Sequence, residues 1–344
     1  MKRRHRNILL VLLAGTVGLL IVYLVFFDKN GRLDVNLSDI EVDMEIKRFD
    51  QDLFDYDAPL ESHVAELEDK YPRFFFLFTE QIIRIGNTGD KNFYEYLEAF
   101  LEDYTVEQAK TATDKEFSDI SDLKSSMKEG FRHYKYYFPE KEVPEIVTFV
   151  AGFNHSVVTD ENLIGIGLDK YLGADSELYA KMKIPEYAVR NMQREMIPVD
   201  CMKALAQMEY PNQDSSDYLV FEMIYQGKLM YFLDAMFPAM PDSLKIGYSA
   251  RDISYCRQFE QSMWQHMVSE ELLYSTDYLK QRKYTGEAPF TAAFGNDSPG
   301  RTGVWIGWQI VRAYMKSEDV SLPELMQETD YQKILNRSRY QPKI

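Results

Sequence analysis

The pattern of apolar and polar positions separates an apolar N-terminal segment from a long, mostly helical body. Residues 8–27 form a run of twenty without a charge. A helix of that length spans a hydrocarbon core of about 30 Å. Four cations precede the run, which favours a cytoplasmic N-terminus. We therefore predict a cytoplasmic basic tip and signal anchor over residues 1–27 and a polar linker over residues 28–39.

The apolar run ends without a small-x-small cleavage site, so we expect an uncleaved anchor in the inner membrane. The body would then lie in the periplasm of a bacterial envelope. A secreted or lipid-anchored form after processing is the alternative. Leu13-Ala14-Gly15-Thr16 is a lipoprotein cleavage box in which threonine replaces the cysteine that would be acylated.

From residue 40 onward the pattern predicts an α+β fold that is predominantly helical. Alternation over residues 40–54 predicts a strand with one exposed face. β-Branched and aromatic residues over 145–153 predict a buried strand. A polar turn over 159–162 between two apolar runs predicts a hairpin. We expect one small central sheet packed by helices, within a single extracytoplasmic domain over residues 40–344.

Apolar residues at helical spacing predict helices over most of the remaining body. Prolines stand at or near their ends, where they are tolerated. Helical patterns start after Pro59, over residues 60–67, 74–78 and 93–101. The longer predicted helices cover about residues 116–137, 185–209, 215–237, 249–270, 298–317 and 322–335.

Composition narrows the class of protein further. The aromatic content of 14% excludes a disordered chain. The net charge is −16, and the N-terminal cations leave −20 on the residues after 27. A body so acidic repels nucleic acid, so we exclude nucleic acid as a partner. The two cysteines, Cys201 and Cys256, predict either inert buried thiols or a single disulfide.

Several motifs of the body occur together in one known family. They are residues 44–50 (MEIKRFD), 166–173 (IGLDKYLG), 222–228 (EMIYQGK), 231–234 (YFLD) and 298–311 (SPGRTGVWIGWQIV). In these motifs the chain resembles the GldB family of gliding-motility lipoproteins of Bacteroidetes, although it lacks their lipobox cysteine. The resemblance implies a non-catalytic, membrane-anchored protein of a gliding-motility or secretion-linked envelope machinery. Its partners would be other cell-envelope proteins.

The order of hairpin, helix and acid-bearing helix is also similar to gluzincin-like metallopeptidases, in which a helical HExxH supplies two zinc ligands and the base. The helix in that place, residues 187–206, contains no histidine. This similarity implies a degenerate site without metal, in which Glu222 is a relic of the third ligand. We predict no catalytic residue and no cofactor. A peptidase-like extracytoplasmic hydrolase with an unrecognised site is the alternative function.

Residues of two predicted helices are candidates for a binding site or a relic of a cleft. They are Glu222, Lys228, Ser298, Arg301, Trp305 and Arg312. Asp297 or Ser298 can cap a helix that begins at Pro299 and whose first turn holds Arg301, an arrangement that can bind a carboxylate or phosphate. The alternative is packing, in which Gly303 and Gly307 admit a second helix and Trp305 lies in the core.

Glu222 and Lys228 belong to a helix that is apolar on all sides, so both charges need partners. Arg301 or Arg312 can meet Glu222 if the two helices pack together. Such a contact would be either a structural ion pair or the floor of a cleft.

Overall fold

The computed structural model describes residues 33–213 and 216–342. The chain divides into two units between Asp39 and Ile40, and the second unit holds every helix and strand given below. The predicted anchor over residues 8–27 lies outside the described residues. Within the described ranges, no helix is long and apolar enough to cross a membrane.

Four short strands form one sheet at the centre of the fold. They are β1 (Ile46–Lys47), β2 (Glu145–Phe149), β3 (Val157–Asp160) and β4 (Leu163–Gly167), in the order β1-β2-β4-β3. The predicted hairpin is confirmed, because β3 and β4 pair antiparallel across a tight turn. The other two pairings are parallel and place Ile146 opposite both Ile46 and Ile164. β4 is buried throughout, which explains its continuous apolar sequence.

The predicted strand over residues 40–54 is wrong in most of its length. Only Ile46 and Lys47 pair in the sheet, and the chain then turns into a short helix. Phe49 is fully buried, with its ring edge-on to Phe74 at 5.0 Å between centroids. Asp50 is also buried and accepts two hydrogen bonds from Arg48. The turn places both side chains inside the domain, and a continued strand would send them to opposite faces.

The helices of the first half surround the sheet. They are α1 (Phe49–Asp52), α2 (Leu60–Lys70), α3 (Pro72–Leu77), α4 (Phe93–Leu101), α5 (Tyr104–Glu116) and α6 (Ser121–Tyr137), with a π-helical turn at Phe78–Ile82. Aromatic residues of α1, α3, α4 and the π-helical turn form one core cluster with β2, in which Phe149 lies within 6.1 Å of Phe78 between ring centroids.

The second half is helical throughout. It contains α7 (Glu177–Lys181), α8 (Glu186–Val189), α9 (Ile197–Glu209), α10 (Leu219–Met236), α11 (Asp242–Ile246), α12 (Ala250–Ser269), α13 (Tyr278–Thr285), α14 (Thr302–Ser317), α15 (Leu322–Gln327) and α16 (Tyr331–Ser338). Short 3-10 turns lie at Leu168–Tyr171, Arg194–Met196 and Ala292–Phe294.

Two of the predicted helices are broken. The helix over 185–209 consists of α8, a 3-10 turn and α9, because Pro198 in the first turn of α9 cannot donate to a preceding helical turn. The helix over 322–335 consists of α15 and α16, and Asp330 caps the second with its side chain. The pattern did not predict α13, whose sequence is almost entirely polar.

The core of the second half is the contact between α10 and α14. A Cβ atom on Gly307 would lie 1.7 Å from the carbonyl oxygen of Met223, and one on Gly227 would lie 2.3 Å from the carbonyl oxygen of Gly307. The two helix backbones therefore touch, which only glycine permits. This confirms the packing interpretation of Gly307.

Candidate functional site

Ser298 does not cap a helix. α14 begins only at Thr302, and its N-cap is Arg301 in the left-handed conformation with φ +56°. The Ser298 hydroxyl instead donates to the carbonyl oxygens of Thr291 at 3.1 Å and Gly295 at 2.7 Å. The predicted cap is wrong, because these bonds hold the preceding loop closed and leave the chain to enter the helix four residues later.

Trp305 belongs to the core. It is almost fully buried, and its indole nitrogen donates to the Glu260 carboxylate at 2.9 Å. Tyr340 donates to the other oxygen of Glu260 at 3.0 Å. Trp305 therefore anchors α14 to α12 and to the C-terminal segment.

Lys228 is buried and has backbone partners. Its ammonium group donates to the carbonyl oxygens of Met326 at 3.1 Å and Glu328 at 2.7 Å. These carbonyls lie at the C-terminal end of α15, where a cation is favourable. Burial lowers the pKa of Lys228 to about 8, although the Glu328 carboxylate acts in the opposite direction. Lys228 thus joins α10 to α15.

Arg312 forms a buried charge network with Asp234, and its predicted contact with Glu222 is wrong. The guanidinium donates to both oxygens of Asp234 at 2.8 Å and to Asp242 at 2.8 and 3.1 Å. Lys245 and Trp308 each donate to Asp234 at 2.9 Å.

The two carboxylates of this network, Asp234 and Asp242, face Arg312 and Lys245, and Arg257 lies 3.5 Å from Asp242 at its more exposed edge. Burial is the largest single influence and lowers the pKa of Arg312, but the carboxylates of Asp234 and Asp242 together outweigh it and raise the pKa above the ordinary value. The sequence signal for the network was an acid, Asp234, in an otherwise apolar helix. We infer that the network stabilises the fold.

The two remaining candidates, Glu222 and Arg301, belong to a second group of charged residues, which the sequence pattern did not predict. Its centre is on α9, where Asp200 and Lys203 share one face at i,i+3 spacing. We call this group the Lys203 cluster; its members are Asp200, Lys203, Glu222, Glu287 and Arg301. Only one feature of the sequence indicates this cluster: a lysine follows an aspartate by three residues on a mostly apolar helix.

Lys203 makes no hydrogen bond and no salt bridge with any described residue. Its side chain is half-buried. Burial lowers its pKa and the nearby guanidinium of Arg301 lowers it further, while the carboxylates of Asp200, Glu287 and Glu222 act in the opposite direction. The ammonium therefore stands among charged groups without a direct partner.

The other members are held in place by bonds of their own. Tyr171 donates its hydroxyl to Asp200 at 2.8 Å. Burial raises the pKa of Asp200, although this bond partly lowers it. Glu222 accepts hydrogen bonds from Asn212 at 3.1 Å and Gln226 at 2.9 Å. These contacts fix the positions of the Asp200 and Glu222 carboxylates.

Arg301 lies at the edge of the cluster. Its guanidinium pairs with Glu287 at 3.2 Å, donates to the carbonyl oxygen of Ile246, and lies 5.8 Å from the centre of the Tyr248 ring. The Glu287 side chain is 64% exposed, so the cluster opens to solvent on this side. Because none of these contacts reaches Glu222, the predicted Arg301–Glu222 ion pair is also wrong.

The donor set of the Lys203 cluster does not fit a divalent metal. An ammonium and a guanidinium would repel the ion, and no imidazole belongs to the cluster. No group of three histidine, cysteine or acidic side chains among the described residues is arranged to hold a metal. Cys201 and Cys256 are both buried and free, so the disulfide alternative is wrong and the buried-thiol interpretation is confirmed.

The protein is therefore a mostly helical α+β domain with two groups of charged residues, the Asp234–Arg312 network and the Lys203 cluster. In both groups, cations or hydrogen-bond donors hold the carboxylates. The family model of the gliding motility protein GldB matches residues 30–342, and the chain belongs to this family. The resemblance seen in the sequence motifs is thus confirmed. No curated protein and no solved structure matches the chain. The similarity to gluzincin-like metallopeptidases remains a prediction.

Proposed function

We propose that this protein is a non-catalytic, membrane-anchored component or accessory of a gliding-motility or secretion-linked machinery in the bacterial cell envelope. Residues 8–27 would anchor it in the inner membrane, with the body in the periplasm. It would act by binding another envelope protein through the Lys203 cluster. Membership of the GldB family supports the link to gliding motility.

The observation that carries this proposal is the unpartnered ammonium of Lys203. The side chain is half-buried, so the ammonium loses part of its hydration without a direct hydrogen-bonded counter-ion, and this lowers the stability of a fold. Groups with pKa values shifted by burial and neighbouring charges concentrate at functional sites. Lys203 has both properties, whereas Lys245 in the other cluster has a carboxylate at 2.9 Å. The contrast favours a binding role for Lys203.

The chemistry of the cluster favours an acidic side chain of the partner. A carboxylate beside Lys203 would form a charge-assisted hydrogen bond, which is the strong kind. Glu287 is exposed and holds Arg301 through a single contact at 3.2 Å. An incoming carboxylate can replace Glu287 there and then bond both cations. The bound partner would thereby give Lys203 the direct hydrogen-bonded carboxylate that it lacks among the described residues of the free protein.

Photo-cross-linking in intact cells tests this proposal. Benzoylphenylalanine would replace Pro289, an exposed residue two positions from Glu287, in the full-length chain. We expect a defined cross-linked envelope protein that is lost in Lys203→Met, a change that removes the ammonium and keeps an unbranched apolar side chain. Lys228→Met is the matched control, because it removes a buried lysine outside the cluster. Equal cross-linking in all three proteins would overturn the proposal.

A hydrolase is the second candidate function, and one observation favours it. Lys203, whose pKa is lowered, lies near Asp200, whose pKa is raised, and such a pair can carry a proton between two groups. Purified full-length protein incubated with a mixed peptide library tests this alternative. Cleavage that Lys203→Met abolishes would replace the binding role with a catalytic one.

A further inference from the structure

Helix α13 is a basic element on a strongly acidic protein. Its eight residues, YLKQRKYT, hold three cations and no acid, although the chain after residue 27 carries −20. Lys280, Arg282 and Lys283 are all exposed. Among the described residues, none of these three side chains has a hydrogen-bond or salt-bridge partner. The positive charge of α13 is therefore available to an external anion.

The same helix exposes its largest apolar side chains. Tyr278 is 68% exposed and Leu279 is 69% exposed. On a helix, residues four apart are neighbours, so Tyr278 adjoins Arg282 and Leu279 adjoins Lys283. An apolar tip and a cationic flank thus form one continuous outer face.

The opposite face of α13 is fixed to the body. Tyr284 is buried, and Gln281 donates to the carbonyl oxygens of Ser275, at 3.1 Å, and of Asp217. Asp277 caps the N-terminus of the helix. The helix is held by its inner face, so its outer face is presented in a set orientation, and no element within residues 33–213 and 216–342 covers it.

We propose that the outer face of α13 docks on an anionic phospholipid surface. Tyrosine and leucine enter the headgroup boundary, and cations behind them bind acidic headgroups. The remaining acidic body is repelled by the same surface, so α13 also sets the orientation of the protein on the bilayer. This proposal rests on the membrane location given under the proposed function. A polyanion without an apolar layer would leave Tyr278 and Leu279 without contact.

A polarity-sensitive dye attached through Leu279→Cys in the full-length chain tests the proposal. The two native cysteines are buried, so labelling is directed to the new thiol. The labelled protein is reconstituted with vesicles of phosphatidylcholine alone or mixed with phosphatidylglycerol, both with a spin-labelled lipid as quencher. The matched control carries the dye through Tyr104→Cys, since Tyr104 is 71% exposed on another helix.

We expect quenching of the dye at position 279 in the anionic vesicles only, and none at position 104. Combining Lys280→Gln, Arg282→Gln and Lys283→Gln should abolish it, because losing three cations weakens binding to an anionic surface on the order of a hundredfold. Three results would overturn the docking proposal. They are no quenching of the dye at position 279, equal quenching of the dye at position 104, and quenching at position 279 that the triple substitution does not change. Cross-linking of α13 to a protein, without quenching, would assign the face to a protein partner instead.

The same samples also test the proposed membrane anchor over residues 8–27, independently of α13. Flotation of the vesicles after an alkaline wash reports whether the chain is integrally anchored. Protein removed by the wash would contradict the anchor while the dye still reports on α13. Protein that floats without quenching would contradict the docking of α13 alone.

Discussion

Replacing Asp234 by alanine should remove a large part of the stability of the second half of the domain. The carboxylate is 1% exposed and accepts four hydrogen bonds, two from Arg312 and one each from Lys245 and Trp308. Alanine would leave Arg312 and Lys245 without the carboxylate they share, and the remaining Asp242 already pairs with Arg257. Removing one partner of a buried ion pair costs about 3–5 kcal/mol, because the remaining charge is uncompensated.

Urea denaturation of the full-length protein in detergent micelles, followed by tryptophan fluorescence, measures this loss. The free energy of unfolding in water should fall by about 3–5 kcal/mol for Asp234→Ala. Asp234→Asn keeps the shape of the side chain but removes its charge, so it should restore little of the loss.

Asp297→Ala is the matched control for Asp234→Ala. Asp297 also pairs with an arginine, Arg251, but both side chains are more than three-quarters exposed. Exposed pairs contribute about 1 kcal/mol or less. If the two alanine variants were equally stable, the structural role assigned to the buried network would be refuted.

Three further predictions follow from other contacts. Gly307→Ala should destabilise the protein by roughly 3 kcal/mol or more in the same urea assay, because its methyl group would overlap the Met223 carbonyl; a loss below 1 kcal/mol would contradict the backbone contact. Burial raises the pKa of Asp169 to about 6, above the unfolded value of about 3.9. The protonated form is therefore favoured in the folded state, and Asp169 should add stability as the pH falls from about 6 to 4, a trend that Asp169→Asn should remove in pH-dependent melting. Arg301→Ala and Glu222→Gln should couple only weakly in their effects on unfolding, since the two side chains do not bond each other and interact only through Lys203; coupling above about 1 kcal/mol would argue for a direct ion pair.

The sequence predicted those elements whose signal is local. The helices α10, α12 and α14 show apolar residues at helical spacing, because each buries one face or its whole surface. Their bounds fall within a few residues of the prediction. The hairpin could be predicted because its two strands, β3 and β4, are consecutive in the sequence. The parallel pairing of β2 with β4 was not predicted, because the sequence of a strand does not indicate which other strand it pairs with.

The partners of the charged residues could not be predicted from the sequence. Arg312 and Asp234 are 78 residues apart, and both Glu222 and Asp234 were acids on the same apolar helix. The difference between them is position, since Asp234 lies opposite Trp308 and Arg312 whereas Glu222 lies in the first turn of α10, beside Asn212. Lys203 was missed because a single lysine on an amphipathic helix usually lies in solvent.

The most direct test of the central claim is the stability of Lys203→Met. The claim is that Lys203 serves binding and not folding. The pKa of Lys203 is lowered in the folded protein, so between the folded and unfolded pKa values the unfolded chain binds more protons and the stability of the wild type rises with pH. At pH 7 the charged lysine therefore opposes folding, and removing it should relieve this effect.

The free energy of unfolding should be measured at pH 7 for the wild type, Lys203→Met and Lys245→Met. Lys245 is the matched control, because it is a buried lysine bonded to Asp234 at 2.9 Å. The account predicts that Lys203→Met is at least as stable as the wild type, whereas Lys245→Met is less stable by about 3 kcal/mol. A loss of stability in Lys203→Met as large as that in Lys245→Met would show that the Lys203 cluster is structural and would contradict the account.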